Sequence, residues 1–152
     1  VRDLSPSCRT TLEELYLAYY DATSSDLFRR DLAEKDEVLL VRHESEIVGF
    51  TTFAVYPLDW EGRDIRIVFS GDTIVDMRHW GQQALGRAWI ARMGRLLRES
   101  PESPLYWFLL VKGHRTYRYL PSNFSRFFPH WEWEDPRAFA SGLRSCPRAF
   151  RN

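Results

Sequence analysis

The sequence predicts an α/β (α+β) fold in which a mixed central sheet is flanked by helices, and three observations carry that reading. Apolar residues recur at helical spacing near the N-terminus and give way, from about Glu37, to runs of β-branched and aromatic residues. The largely apolar run Ile65–Phe69 passes through a short polar turn into a long amphipathic stretch. Leu105–Val111 is then a continuous apolar run of the kind expected of a strand buried on both faces, and strand, helix, strand in that order implies a parallel pair.

The elements follow in order. Thr11-Leu12-Glu13-Glu14 reads as a capping box, and Leu12, Leu15, Tyr16 and Tyr19 share one face of a helix from about Leu12 to Asp21. Ser24 or Ser25 caps a second helix, Asp26–Glu34, that buries Leu27, Phe28 and Leu32. Val38–Val41 and Ile47–Tyr56 form a hairpin about the polar Glu44-Ser45-Glu46, and Pro57 with Trp60–Arg63 closes its second strand. A third strand runs from Asp64 to Val75 with Gly71 inside it, where a glycine marks a bulge or a close backbone approach. The following helix presents Leu85, Ala88, Trp89, Arg92, Met93 and Leu96 in turn and ends near Ser100, before Pro101. Beyond Gly113, Thr116–Leu120 suits a helical turn leading to Pro121, and Ser122 suits a cap for Asn123–Phe128. Residues 131–152 show no sustained period and are expected to be irregular.

Composition sets the outer limits. A chain of 152 residues, 44% hydrophobic and 15% aromatic, is expected to form one domain, 1–152, with a substantial core. Formal charge is zero and the basic residues are dispersed, which argues against nucleic acid as a partner. Two cysteines, Cys8 and Cys146, carry neither metal-ligand spacing nor a disulfide framework and suit a reducing cytoplasm. The N-terminus lacks the apolar core of a signal peptide and no apolar run reaches membrane-spanning length, so no membrane association is expected. The first residue is valine, which is read as a chain that begins inside a longer protein.

The chemistry concentrates between Asp64 and Glu99. A strand that turns into a helix aims the helix's unpaired N–H groups and the positive end of its dipole at one point, where a phosphate or pyrophosphate can sit. Backbone N–H groups between Gly81 and Arg87 are the expected contacts, and Arg87 suits a phosphate contact or a solvated helix residue equally. His43, His79 and His130 are scattered with no partner at metal spacing, so no metal is expected, and His114, after Gly113, reads as a surface loop histidine.

The order helix, helix, three strands, helix, strand, helix resembles that of the GCN5-related N-acetyltransferase (GNAT) superfamily, over about Thr11 to His130. Glu44-Ser45-Glu46-Ile47-Val48-Gly49-Phe50 is similar to that family's polar turn leading into a Val-Gly-Phe strand. Gln83-Ala84-Leu85-Gly86-Arg87-Ala88 matches its acyl-CoA motif of Gln or Arg, two residues, Gly, one residue, then Gly or Ala. An ungapped comparison instead lays Trp80-Gly81-Gln82-Gln83-Ala84-Leu85 on the family's Arg-Gly-x-Gly-x-Gly loop and keeps one of its glycines, so two registers stand open. The C-terminus departs from the family, since no alternating pair of strands follows Phe128.

The resemblance implies an acyltransferase that moves an acyl group from acetyl-CoA or another acyl-CoA directly to an amine of a small molecule or a protein. Backbone groups of Thr73, Ile74 and Val75 would bond the pantetheine arm. Gly81, Gln82, Gln83, Ala84, Leu85, Gly86 and Arg87 would surround the pyrophosphate. Asp72 and Asp76 are candidates for the base that deprotonates the amine, against a reading as turn or helix-entry carboxylates. Tyr117 or Tyr119 is the candidate acid for the departing thiolate, against a reading as packed aromatics, and Phe124, Phe127, Phe128, Trp131 and Trp133 suit either a core stripe or an acyl-chain wall. Two further readings stay open: a non-catalytic acyl-CoA sensor, and a relative of the acyl-homoserine-lactone synthases in which Arg78, Arg87, Arg115 and Arg118 receive an acidic acyl carrier protein. A homodimer is also left open.

Overall fold

Ser5 and Pro6 start the chain's first helix, α1 (Pro6–Tyr19), in the computed structural model, which describes residues 1–81, 83–111, 114–124 and 127. Ser5 is extended and accepts the Cys8 N–H, while Pro6 occupies the first turn, where a missing N–H costs nothing. The expected start at Thr11 is therefore corrected: Thr11 lies inside the helix and its hydroxyl donates to the Ser7 carbonyl, because Ser-Pro supplies a complete start earlier in the chain. The second helix, α2 (Ser25–Ala33), is capped by Ser24 as expected, and it buries Phe28 and Leu32. Leu27 stays 40% exposed, since only Phe28 and Leu32, four apart, share the inward face.

Two compact units are distinguished, Val1–Leu109 and the chain from Leu110 onward. The first holds a four-stranded sheet of β1 (Glu37–His43), β2 (Glu46–Trp60), β3 (Arg63–Val75) and β4 (Leu105–Leu109), side by side in that order. β1, β2 and β3 pair antiparallel, and β3 and β4 pair parallel, as the strand, helix, strand order predicts. β2 runs past Pro57 to Trp60. Pro57 faces Arg66, whose backbone bonds toward β4, so the proline's nitrogen turns to the side where β1 has already ended. Among the described residues no strand pairs with the far side of β4, and it is not buried on both faces: Phe108 is 54% exposed.

Phe50 and Phe53 are three apart on β2 and so point to opposite faces of the sheet. Phe50, with Ile74, joins Leu12, Tyr16, Phe28 and Leu32 in one cluster under α1 and α2. Phe53 meets the Trp89 ring edge-on at 5.4 Å beneath the third helix, α3 (Ala84–Glu99), and Trp89 in turn packs on Trp107 of β4 at 5.1 Å. Arg66 ties the far end of α3 to β3 by donating to the carbonyls of Leu96, Ser100 and Ser103 at 2.8–3.0 Å. Arg92 bonds Glu37 of β1 at 2.8 Å.

In the second unit α4 (His114–Tyr117) and α5 (Tyr119–Asn123) are short. Pro121 and Ser122 lie inside α5 and neither ends nor caps a helix there; a proline in the first turn needs no N–H. Phe124 is extended, so the helix expected from Asn123 does not continue. Leu120, Phe124 and Phe127 are buried, and the Tyr117 ring packs edge-on against Phe127 at 6.2 Å. Phe128, Trp131, Trp133 and the expected irregular tail lie outside the described residues. No helix among the described residues is long and apolar enough to cross a membrane.

Candidate functional site

A β-bulge in β3 builds the site. Between Phe53↔Ser70 and Thr51↔Thr73, β2 advances two residues while β3 advances three, which leaves an extra residue at Gly71-Asp72 opposite Thr52. A side chain at residue 71 has no room: a Cβ there would lie 2.5 Å from Thr52 Oγ1 and 2.7 Å from Lys35 Cε. Lys35 is itself buried, with its ammonium on Asp31 Oδ1 at 2.6 Å, so the bulge rests on a packed ion pair.

The bulge decides which backbone groups face outward. Arg66 N–H donates to Pro104 O, so before the bulge the even-numbered residues of β3 bond toward β4. Asp76 N–H donates to Val48 O, so after the bulge the even-numbered residues, Ile74 among them, bond toward β2. Thr73 and Val75 therefore turn their N–H and C=O groups to the opposite side. The β3–β4 pairing ends at Ser70↔Leu109, so no strand meets Thr73 and Val75 there among the described residues.

Side chains meet them instead. Trp80 Nε1 donates to the Val75 carbonyl at 2.7 Å, and the Thr73 N–H donates to the Tyr20 hydroxyl. Burial pushes the Tyr20 phenol pKa up, the Asp72 carboxylate adds to that, and the Thr73 bond opposes both. Beside them the Met77 N–H donates to the Tyr19 hydroxyl at 3.2 Å. Sequence reasoning missed Tyr19, Tyr20 and Trp80; helical spacing marks Tyr19 as a face residue, and nothing in the sequence marks the contacts these rings make across the chain.

Between β3 and α3 the chain makes a 3-10 turn, Met77–His79, and then a loop in which Gly81 (φ 90°) and Gln83 (φ 51°) are left-handed. These two positions coincide with the first two glycines of the Arg-Gly-x-Gly-x-Gly loop in the ungapped comparison. Gln82 lies outside the described residues. The first helical bond of α3 runs from Arg87 N–H to Gln83 O, so Ala84, Leu85 and Gly86 carry N–H groups with no helical acceptor, and the Gln83 side chain makes no capping bond. No acidic residue lies in that first turn. Gly86 is helical, with open space where its Cβ would be.

Of the candidate bases, Asp72 stands on the bulge, half-buried, and its charge reaches Tyr20. Asp76 caps the 3-10 turn. Its carboxylate accepts from the Arg78 side chain at 2.7 Å and from the Arg78 N–H at 2.9 Å, which together hold its pKa at about 2. Tyr117 closes α4 and Tyr119 opens α5, both in the second unit. Arg87 is exposed on the first turns of α3. The His43 and His79 rings pack at a 45° tilt with centroids 4.6 Å apart, and no group of three metal-ligating residues exists among the described residues. Two clefts lie away from this edge: one, of about 750 Å³, between Pro57–Asp59, Arg63–Arg66 and Ser100–Pro104, and a smaller one between α1 and the β1–β2 hairpin.

No family model and no curated protein matches the chain. Solved structures do. A ribosomal-protein-alanine N-acetyltransferase from Brucella melitensis biovar Abortus 2308 superposes with a TM-score of 0.58 at 20% identity, over 78% of this chain and 86% of that one. The chain has the GNAT fold. An acetyltransferase of Trypanosoma brucei superposes with a TM-score of 0.56 at 18% identity, over 87% of this chain and 95% of that one. The enzyme AAC(6')-Iy, in complex with the bisubstrate analogue CoA-S-monomethyl-acetylneamine, superposes with a TM-score of 0.58 at 11% identity, over 78% and 84%.

Proposed function

We propose that this chain is an acyltransferase that moves an acyl group from acetyl-CoA, or another acyl-CoA, directly to an amine. The observation that carries the reading is the continuity of two unlike binding surfaces: the outward β3 edge at Thr73 and Val75 leads through the Gly81–Gln83 loop to the uncapped N-terminus of α3. An arm of amides followed by a pyrophosphate is complementary to that sequence of surfaces. Thr73 and Val75 take the amides, while Ile74, bonded to β2, contributes its side chain to the core. The N–H groups of Ala84, Leu85 and Gly86, with the helix dipole behind them, take the pyrophosphate, and Arg87 adds charge. The fold supports the coenzyme class, since the bisubstrate analogue named with AAC(6')-Iy contains CoA.

The bound thioester supplies an activated acyl carbonyl. The amine nitrogen attacks it, the C–N bond forms, the C–S bond breaks and the thiolate leaves with a proton. Asp72 is the better base of the two acidic candidates, because Asp76 is committed to Arg78 and is too weak a base at a pKa of about 2. The family resemblance assigns the proton for the thiolate to Tyr117 or Tyr119. Small-molecule and protein amines are both open as acceptors; the names of the similar structures include an acetylated neamine and a ribosomal-protein alanine.

Titration with acetyl-CoA and with a long-chain acyl-CoA, followed by thiol release in the presence of a panel of amines, tests this. Binding with amine-dependent release is expected. Failure to bind either coenzyme overturns the reading, binding without release identifies a sensor, and release only from an acyl carrier protein identifies the carrier-dependent class.

A further inference from the structure

The outward edge of β3 carries the N–H and C=O of both Thr73 and Val75, and the chain's own side chains meet two of these four groups. Tyr20, from the end of α1, sets an acceptor oxygen against the Thr73 N–H, and Trp80, from the loop before α3, sets a donor N–H against the Val75 carbonyl at 2.7 Å. One acceptor and one donor are what a secondary amide presents to a strand edge. Tyr20 is half-buried and packs on Tyr16, with ring centroids 5.0 Å apart, whereas Trp80 is 58% exposed and follows the 3-10 turn that Tyr19 steadies at Met77.

We propose that Tyr20 and Trp80 are a self-made plug of the coenzyme edge, and that acyl-CoA binds by exchange, its amides replacing the Tyr20 oxygen on Thr73 and the Trp80 N–H on Val75. The inference rests on the coenzyme reading above and adds a gate to it. The free protein is spared an open strand edge, which would otherwise pair with other chains. The coenzyme gains less than the full worth of its two bonds, because each replaces one already made.

The test measures the affinity for CoA by calorimetry in the wild type and in Tyr20→Phe, Trp80→Phe and Tyr56→Phe, each of which keeps an aromatic ring and loses one polar group. Removing a competing internal bond tightens CoA binding, by about tenfold for the half-buried Tyr20 and about threefold for the exposed Trp80. Tyr56→Phe, on β2 opposite Ile67 and outside this edge, leaves the affinity unchanged. In the coenzyme-free protein, amide exchange at Thr73 is faster in Tyr20→Phe than in the wild type. Unchanged or weakened CoA binding in both cap variants, beside a wild type that binds, overturns the exchange and leaves the coenzyme reading standing. Unchanged Thr73 exchange in Tyr20→Phe shows that the plug is not there. Failure of every protein to bind CoA overturns the coenzyme reading and the exchange with it.

Discussion

Gly71→Ala tests the bulge on which the site is built. The new methyl would lie 2.5 Å from Thr52 Oγ1 and 2.7 Å from Lys35 Cε, and ordinary contact lies at 3.4–4 Å, so both neighbours have to move by roughly an ångström. Neither moves freely: Thr52 is 1% exposed, and Lys35 is held by the Asp31 carboxylate at 2.6 Å and the Asp31 carbonyl at 3.2 Å. Overpacking of this kind costs about 1–3 kcal/mol, and the loss of glycine's freedom in the unfolded chain offsets about 0.4–1 kcal/mol of it. The net expectation is a destabilisation of about 1–2 kcal/mol, rising toward 3–5 kcal/mol if Lys35 is forced off Asp31 and left buried without its partner. Urea unfolding reads this as a lower midpoint at an unchanged slope. Thr52→Ala in the same chain removes the closer contact and returns part of the loss. A Gly71→Ala protein as stable as the wild type, or a double variant with no recovery, would show that the bulge is not packed as described.

Three further outcomes are expected. Gly86→Ala, in the first turn of α3 with open space at its Cβ, raises stability by about 0.5–1 kcal/mol, whereas Gly81→Ala, at a φ of 90°, lowers it by about 1–2 kcal/mol. Thermal melts read both, and equal signs contradict a loop centred on Gly81. Arg66→Met strips three carbonyls of a charged donor and costs about 2–3 kcal/mol, a loss that Arg66→Lys does not recover because one ammonium cannot span all three; recovery by lysine counts against the account. The third outcome is pH dependence at two ends of the scale. The Asp76 pKa is depressed to about 2, so its bond to Arg78 stabilises the fold above the ordinary carboxylate range and is lost as pH falls through about 2, which carboxyl NMR titration detects. The Tyr20 pKa is raised, so its contribution holds below about pH 10 and is lost as pH rises through the higher folded value; phenolate absorbance, assigned with Tyr20→Phe, should show one late-titrating tyrosine.

The parts of the fold legible in the sequence are those set by local pattern. The Ser24 cap, the Glu44-Ser45 turn, the bulge at Gly71 and the end of α3 before Pro101 each follow from a residue type that permits few local conformations. Thr11 misled because two caps competed for one helix and Ser5-Pro6 prevailed. The apolar run at β4 misled because an unbroken apolar run does not by itself tell a strand buried on both faces from one with an exposed face, and Phe108 is 54% exposed. In the candidate site, the order strand, loop, helix was legible, whereas the parity of β3 was not. Which of Thr73, Ile74 and Val75 faces outward depends on a one-residue bulge counted against the partner strand. Tyr20 and Trp80 were hidden for a similar reason, since each reaches a backbone group on another element of the chain.

The central claim is that one coenzyme spans the β3 edge and the α3 N-terminus, and amide chemical-shift mapping during a CoA titration tests it most directly. The account predicts that the largest shifts fall together on Thr73, Val75, Ala84, Leu85 and Gly86. Shifts confined to the cleft between Pro57 and Pro104, or no shifts at saturating CoA, would contradict it.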